Sequence, residues 1–195
     1  MTNNILRSKG FTLVEILIAV FIISLLAGVI SVSIKKVHIK SDNTARLQQM
    51  EEYQNAVFFM VRDNGGPAGL ASWDDVWCIG VYPSGKCSFF NVTNWGNTDN
   101  SPGGLNDHLK VYLPSLPTLK PFKSSAGKTW NGPMYGCGNY DGTTWVSAPS
   151  NTVPPCTPML KYALEGDNQE CGFPEAVADD AYSGVTYCIL PVPYF

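Results

Sequence analysis

Apolar residues run almost without interruption from Phe11 to Ile34, and Glu15 is the one charged residue among them. As a helix these 24 residues would span about 36 Å, which exceeds the roughly 30 Å hydrocarbon core of a bilayer. Hydroxyl residues such as Thr12 and Ser24 interrupt the stretch only mildly, because their side chains can bond to the helix backbone. The pattern predicts a transmembrane helix over residues 11–34.

From Lys35 to Arg62 apolar residues recur every three or four positions, which is typical of a helix with one apolar face. That face consists of Leu47, Met50, Tyr53, Val57, Met60 and Val61. A coiled-coil stalk needs more heptads than this segment holds, so we expect the face to pack against the chain's own sheet. The run Asn64-Gly65-Gly66-Pro67 then ends the helix.

The composition changes near Asn64. All 14 Pro, all 6 Cys and all 5 Trp lie beyond it, together with 16 of the 18 Gly. Such a region is typical of short strands and loops. The strand candidates are Val76–Val81, Cys87–Thr93, Leu109–Leu113, Thr143–Ser147, Met159–Leu164 and Val185–Leu190.

The connections between these strands are too rich in Pro and Gly for crossover helices, which predicts an antiparallel sheet. We expect an α+β fold in which one face of this sheet lies on the long helix. Residues 93–123 and 149–158 are expected to form long loops, which often carry recognition or disorder.

Charge is unevenly distributed along the chain. Residues 1–62 hold seven of the 13 Lys and Arg and four acidic residues, whereas the remainder holds six basic and twelve acidic residues. An acidic exposed region disfavours a surface that binds phosphate groups, so no nucleic-acid partner is expected.

The simplest interpretation of the apolar stretch is an ordinary signal anchor or secretory signal. A cleavable signal has a shorter apolar region followed by small residues at an A-x-A-like site, and no such site follows Ile34. A plain anchor also has no reason to carry a carboxylate such as Glu15 among lipid tails. The short segment before Phe11 favours a cytoplasmic amino end and an exported Cys-rich region.

The residues Lys-Gly-Phe-Thr-Leu-Val-Glu at positions 9–15, followed by the apolar stretch, resemble the amino terminus of type IV prepilins and type II secretion pseudopilins. The likeness covers about residues 7–34. It includes a short basic leader, Gly10 before the scissile bond, Phe11 after it, and Glu15 in fifth place of the mature chain.

This resemblance implies that a prepilin peptidase cuts after Gly10 on the cytoplasmic face and that the new amine of Phe11 is methylated. It also implies a pilin-like version of the α+β fold. Residues 1–10 would be the cleaved leader, 11–34 the transmembrane and assembly helix, 35–64 an amphipathic helix packing on the head, and 65–195 the exported globular head.

Assembly supplies a role for Glu15. In a helical filament of identical or related pilin subunits, the carboxylate of Glu15 would pair with the amine of Phe11 on a neighbour as both leave the lipid. Pairing would remove the desolvation penalty of two charges. Before assembly the helix would hold the subunit in the bacterial inner membrane with its head exported. Afterwards the subunit would lie in a pilus or pseudopilus, at the cell surface or in the periplasm.

Six Cys in an exported head predict three disulfides, because the paired C-x-x-C spacing of a zinc site is absent. Fifteen pairings are possible. We predict the sequential one, Cys78 with Cys87, Cys137 with Cys156, and Cys171 with Cys188. A regular hairpin turning at residues 83–85 would place Cys78 and Cys87 about 10 Å apart, so the first bridge requires an irregular loop.

The sequence contains no recognisable catalytic motif. His38 and His108 are the only histidines, and neither has a nucleophile at a familiar spacing. We expect a non-enzymatic protein without a cofactor. Calcium could bind at Asp167-Asn168, Asp179-Asp180 or residues 97–100, as in some pseudopilin heads, but solvated turns explain these residues more simply. Any metal ligands therefore stay unknown.

Trp95, Trp130 and Trp145 lie among Asn, Gly and Asp, a mixture that suits stacking on sugars. They would make the head an adhesin, whereas the simpler interpretation is that they cover its core. Three hypotheses follow: a structural subunit of a pilus or pseudopilus, an adhesive or DNA-uptake pilin, and a signal-anchored exported enzyme. The residues favour the structural subunit.

Overall fold

A computed structural model describes residues 10–64, 77–82, 85–89, 92–98, 104–140, 145–146 and 157–192. Of residues 29–33, 89, 92–98, 137–140, 145–146 and 179–181 it describes the backbone alone. The chain divides into two compact units, Met1–Lys40 and Ser41–Phe195.

Helix α1 comprises Leu13–Asp63. Its residues up to Lys40 belong to the first unit. The predicted transmembrane segment 11–34 includes residues 29–33, whose side chains lie outside the described set. Among the described residues, no helix combines the length and apolar character that a membrane crossing requires. The transmembrane segment therefore stays a prediction.

In the second unit, the apolar face of α1 packs on the sheet as predicted. Met50, Tyr53, Val57, Met60 and Val61 are buried, and Leu47 packs at the edge of the same cluster. Their partners across the interface are the sheet residues Tyr135, Leu160, Tyr162, Leu164 and Leu190. The helical periodicity thus identified the core-facing side of α1.

The remaining elements are short. The strands are β1 Trp77–Cys78, β2 Lys86–Phe89, β3 Val92–Thr98, β4 Phe122–Lys123, β5 Thr129–Trp130, β6 Met134–Tyr140, β7 Trp145–Val146, β8 Thr157–Glu165, β9 Val177–Tyr182 and β10 Val185–Pro191, and helix α2 is Leu105–Leu109. Within the described residues, one sheet has the order β2-β3-β1-β6-β8-β10-β9, with β7 paired to β6, and β4 and β5 form a separate pair.

The sheet is antiparallel at every described strand pair except β1–β3, which is parallel. The chain leaves β1, forms the antiparallel β2–β3 pair, and so brings β3 back beside β1 in the same direction. The predicted α+β architecture is therefore present, and the expectation of a purely antiparallel sheet is wrong at this pair.

The predicted strand Leu109–Leu113 is also wrong. Leu109 ends helix α2, and a turn follows it. Leu105 and Leu109 are four residues apart and both fully buried, which is the spacing of one helix face. The buried Asn106 side chain holds this helix in place by accepting from the Gly80 amide at 3.2 Å and donating to the Gly80 carbonyl at 3.0 Å.

Other strand predictions differ mainly in their limits. Strands β8 and β10 include the predicted Met159–Leu164 and Val185–Leu190. The predicted Cys87–Thr93 is divided between β2 and β3, and β1 is shorter than Val76–Val81. β7 lies inside Thr143–Ser147, whose other residues fall outside the described set. The predicted loop 93–123 contains most of β3 and all of α2 and β4.

Among the described residues, disulfides join Cys78 to Cys87 and Cys171 to Cys188, both of them predicted pairs. Residues 79–82 leave β1 without forming a hairpin with β2, and this irregular path brings the Cα atoms of Cys78 and Cys87 to 5.9 Å. A Cβ at Gly132 would lie 2.9 Å from that of Cys87, so the close approach requires glycine. The predicted Cys137–Cys156 bridge lies outside the described residues.

A second core covers the opposite face of the sheet. On β8, Met159 and Ala163 belong to it, whereas the alternate residues face α1. The side chain of Trp130 is fully buried there, with its ring 5.3 Å from that of Tyr182. The core interpretation is therefore confirmed for Trp130, which is not available to stack on a sugar. The side chains of Trp95 and Trp145 lie outside the described set.

Residues 117–120 are bound along the second-unit part of α1. The Tyr53 hydroxyl donates to the Pro117 carbonyl, and Arg46 Nη2 donates to the Lys120 carbonyl. Lys120 Nζ also pairs with Asp42 at 2.6 Å. Burial lowers the pKa of Arg46 to about 10, although nearby Asp42 raises it. The guanidinium lies 4.7 Å from the ring centre of Phe122, which gives the buried cation an aromatic partner.

Asn43 joins α1 to β8 through a pair of hydrogen bonds. Its Nδ2 donates to the Glu165 carbonyl and its Oδ1 accepts from the Glu165 amide, each at 2.9 Å. We expect Asn43→Ala to lower the free energy of unfolding by about 2–3 kcal/mol, because it leaves two backbone groups unpaired. Denaturant unfolding of the full-length chain in detergent measures this loss.

The exposed Gln48 on the same helix provides the control for this prediction. Gln48→Ala should stay within about 0.5 kcal/mol of the wild type, because it removes no buried contact. Equal stabilities for the Asn43→Ala and Gln48→Ala variants would show that the Asn43 bonds do not hold the helix to the sheet.

Candidate functional site

The predicted cleavage site lies just before α1. Gly10, Phe11 and Thr12 are exposed and precede the first helical residue, Leu13. The Phe11 side chain is 82% exposed, and no atom lies within 4 Å of the position that a Cβ of Gly10 would take. The Gly10–Phe11 bond is therefore outside the helix and sterically open to an enzyme.

Thr12 and Glu15 form a capping box at the start of α1. The amide and the hydroxyl of Thr12 each donate to Glu15 Oε2 at 2.8 Å. The Glu15 amide lies 3.3 Å from Thr12 Oγ1, to which it donates. These bonds satisfy backbone groups that the first turn of a helix otherwise leaves unpaired. The carboxylate also lies at the positive end of the helix dipole.

Sequence reasoning identified Glu15 but missed the role of Thr12, which it treated as a mild interruption. The signal was present, because Thr-x-x-Glu directly before an apolar helix is the pattern of a capping box. The hydroxyl of Ser24 does bond to the Val20 carbonyl, at 2.8 Å, as expected for a tolerated polar residue.

The two oxygens of Glu15 differ in their surroundings. Both bonds from Thr12 end on Oε2. Within the residues that the structure describes, no hydrogen bond reaches Oε1. The carboxylate can therefore cap its own helix and accept one further donor without a change of side-chain conformation.

The helix beyond the capping box exposes a continuous apolar surface. The large apolar side chains from Phe11, just before the helix, to Leu26 are between 50% and 82% exposed. Phe11, Leu13, Ile16, Leu17 and Val20 line a shallow hollow beside Thr12. A soluble monomer rarely exposes apolar surface on this scale, and exposed patches of this size mark sites of contact with protein or membrane.

A model of the prokaryotic N-terminal methylation motif matches residues 5–31. The chain carries a prokaryotic N-terminal methylation motif. No curated protein and no solved structure matches the chain.

The methylation motif confirms the resemblance seen in residues 9–15, and it includes Gly10, Phe11, Thr12 and Glu15. It supports a type IV pilin-like or pseudopilin-like exported protein. The match ends before Lys35, so the second unit lies outside it.

The other candidate residues lie away from the methylation motif in the sequence. His38 is exposed on α1, and His108 is half-buried in α2. Asp167 Oδ1 accepts from the Gly184 amide at 2.5 Å, and Asn168 has a left-handed φ of 54°. Both are features of turn residues.

The oxygen-rich segments were the candidates for calcium binding. The side chains of Asp179, Asp180 and residues 97–100 lie outside the described set. In the part of the chain that the structure describes, no three His, Cys, Asp or Glu residues are grouped closely enough to hold a metal ion.

Proposed function

We propose that the chain is a structural subunit, a pilin or pseudopilin that prepilin peptidase processes and that assembles through its first helix into a type IV pilus or type II secretion pseudopilus. One observation supports it above the others: Glu15, which lies within the methylation motif, is in the first turn of α1, and both described bonds from Thr12 end on its Oε2. The role proposed for the protein is mechanical and has no catalytic step.

Processing would create the donor that Oε1 lacks. Cleavage after Gly10 gives Phe11 a cationic amine. This amine lies next to Thr12, just before the start of α1. In a filament this amine would reach Glu15 Oε1 of a neighbouring subunit, while Oε2 keeps the helix capped. The pair would place opposite charges together inside an apolar bundle, where separate charges are strongly disfavoured. The site would therefore set the register between subunits.

The apolar surface of the first unit suits the same sequence of events. Lipid of the inner membrane would cover residues 11–34 before assembly, and helices of other subunits would cover them afterwards. The disulfides Cys78–Cys87 and Cys171–Cys188 support export of the second unit, because such bonds persist in oxidising compartments.

Analysis of leader processing tests the proposal. We expect the full-length chain, coexpressed with a prepilin peptidase, to lose residues 1–10 and to begin with N-methylated Phe11. Without the peptidase the chain should keep the leader. Mass spectrometry of the intact protein measures both products.

Gly10→Val supplies the control, because a side chain at this position should block cleavage without touching the capping box. If the wild-type chain keeps residues 1–10 in cells whose peptidase processes another prepilin, the proposal is wrong. If the chain is processed, recovery of filaments sheared from the cell surface would distinguish a pilus from a pseudopilus.

A further inference from the structure

Basic residues are concentrated on α1 directly after the apolar stretch. Lys35, Lys36, His38 and Lys40 fall within six residues, and all four are exposed. No acidic residue lies between Glu15 and Asp42. We refer to these four residues as the basic belt.

The basic belt is wider than one helix face. At about 100° per residue, its members cover about 200° of the helix circumference. A stripe that packs against a single partner is about 100° wide. The apolar residues Ile34 and Val37, which lie among the basic ones, are 51% and 67% exposed. Charged and apolar side chains thus share the same two turns, which suits a boundary between lipid tails and water.

Lysine side chains fit such a boundary. The aliphatic stem can lie along apolar surface while the ammonium group reaches the level of the lipid phosphates. The proposed topology places the basic belt on the exported side, where the positive-inside rule predicts few basic residues. The positive-inside rule therefore does not account for these basic residues, whereas binding to an anionic partner would account for them.

We propose that the basic belt binds the phosphate groups of anionic phospholipids in the outer leaflet of the membrane. This inference rests on the proposed function, which places residues 11–34 in the bilayer. Binding would hold the subunit at a defined depth before assembly, with the Glu15 end at the opposite surface. The occupant is an anionic lipid, because a bilayer surface can contact charges over a wide arc of one helix.

The test measures how the full-length chain distributes between vesicles of phosphatidylcholine and vesicles containing about one third phosphatidylglycerol, a surface that attracts basic segments. The belt variant carries Lys35→Gln, Lys36→Gln and Lys40→Gln. The control carries Lys110→Gln, Lys123→Gln and Lys128→Gln, which remove the same charge from exposed positions of the second unit.

We expect the wild type and the control to prefer the anionic vesicles and the belt variant to lose that preference by about 100-fold at low salt, at about fivefold per lysine. The preference of the wild type should also weaken at high salt. An unchanged preference in the belt variant would overturn the proposal.

Two further outcomes would also overturn it. If millimolar inorganic phosphate removes the preference at constant ionic strength, the belt binds free anions. If the wild type forms cross-linked pairs in neutral vesicles and the belt variant does not, the belt binds a second copy of the chain.

Insertion into neutral vesicles separates this inference from the proposed function. A belt variant that inserts normally and loses only its lipid preference supports both. A belt variant that inserts normally and keeps its preference for anionic vesicles overturns the lipid-binding proposal alone. A wild type that enters neither kind of vesicle overturns both.

Discussion

Glu15→Gln will abolish filament assembly while leaving cleavage after Gly10 intact. Glutamine has the shape of glutamate and keeps an oxygen that can accept from Thr12, but it has no charge to pair with the Phe11 amine of a neighbour. That amine would then be an unpaired cation inside an apolar bundle, which is strongly disfavoured. We expect the yield of sheared filaments to fall about 100-fold or more.

Variants of Thr12 separate the charge of Glu15 from its role in the capping box. Thr12→Val keeps the shape of the side chain but removes the hydroxyl that donates to Oε2 and accepts from the Glu15 amide. A lost cap costs about 1 kcal/mol, so we expect a yield several-fold below that of the wild type. Thr12→Ser keeps the hydroxyl and should assemble normally.

The ranking of these variants is the decisive measurement. Processing is checked by the mass of the mature chain, and assembly by the amount of sheared filament. Wild-type yields from Glu15→Gln would show that the carboxylate is not needed for assembly. A yield from Thr12→Val as low as that from Glu15→Gln would show that the cap, rather than the charge, controls assembly.

The second unit will unfold when the pH rises about one to two units above 10. Burial raises the pKa of four tyrosines well above their ordinary value: Tyr53, Tyr82, Tyr135 and Tyr162. In the unfolded chain each phenol ionises near pH 10. Because their folded pKa values are raised, these groups contribute stability that is present below pH 10 and is lost as the pH rises towards the folded values.

The size of this effect is large relative to the stability of a domain. Each buried tyrosine removes up to about 1.4 kcal/mol of stability per pH unit, and domains are stable by about 5–15 kcal/mol. Arg46 acts in the opposite direction, because burial lowers its pKa to about 10. One group of this kind does not offset four tyrosines.

Near-ultraviolet absorbance of tyrosinate and near-ultraviolet circular dichroism, recorded together, measure the transition. The buried tyrosines should ionise at the same pH at which the tertiary signal disappears. Their ionisation near pH 10 with the tertiary signal intact would contradict the prediction.

Tyr135→Phe is the matched variant, because the Tyr135 hydroxyl is buried without a hydrogen-bond partner among the described atoms. This variant should fold normally at neutral pH and should unfold at a higher pH than the wild type does.

Elements that depend on a repeating local pattern could be predicted from the sequence. The three- and four-residue spacing from Leu47 to Val61 identified the face of α1 that packs on the sheet. Strands β8 and β10 were recognised because each is a long run of apolar and β-branched residues. The methylation motif was recognised because its residues are contiguous.

Elements with a weak or misleading local pattern were missed. Strands β4 and β5 have two residues each, and β6 contains Gly136 and Gly138, so none has a strong local signal. The run at Leu109–Leu113 suggested a strand until packing showed Leu105 and Leu109 on one helical face. The role of Thr12 is a different case, because its local signal was present and went unused.

The sequence alone predicted the long first helix, its packing face and the methylation motif, and the sequential pairing chosen from fifteen includes Cys78–Cys87 and Cys171–Cys188. Each depends on residues that are close along the chain. The folded structure was needed to establish the parallel β1–β3 pair, the burial of Trp130 and the attachment of residues 117–120 to α1. These depend on which distant segments meet, and the physical reason is that burial and backbone pairing are settled only once the whole unit has packed.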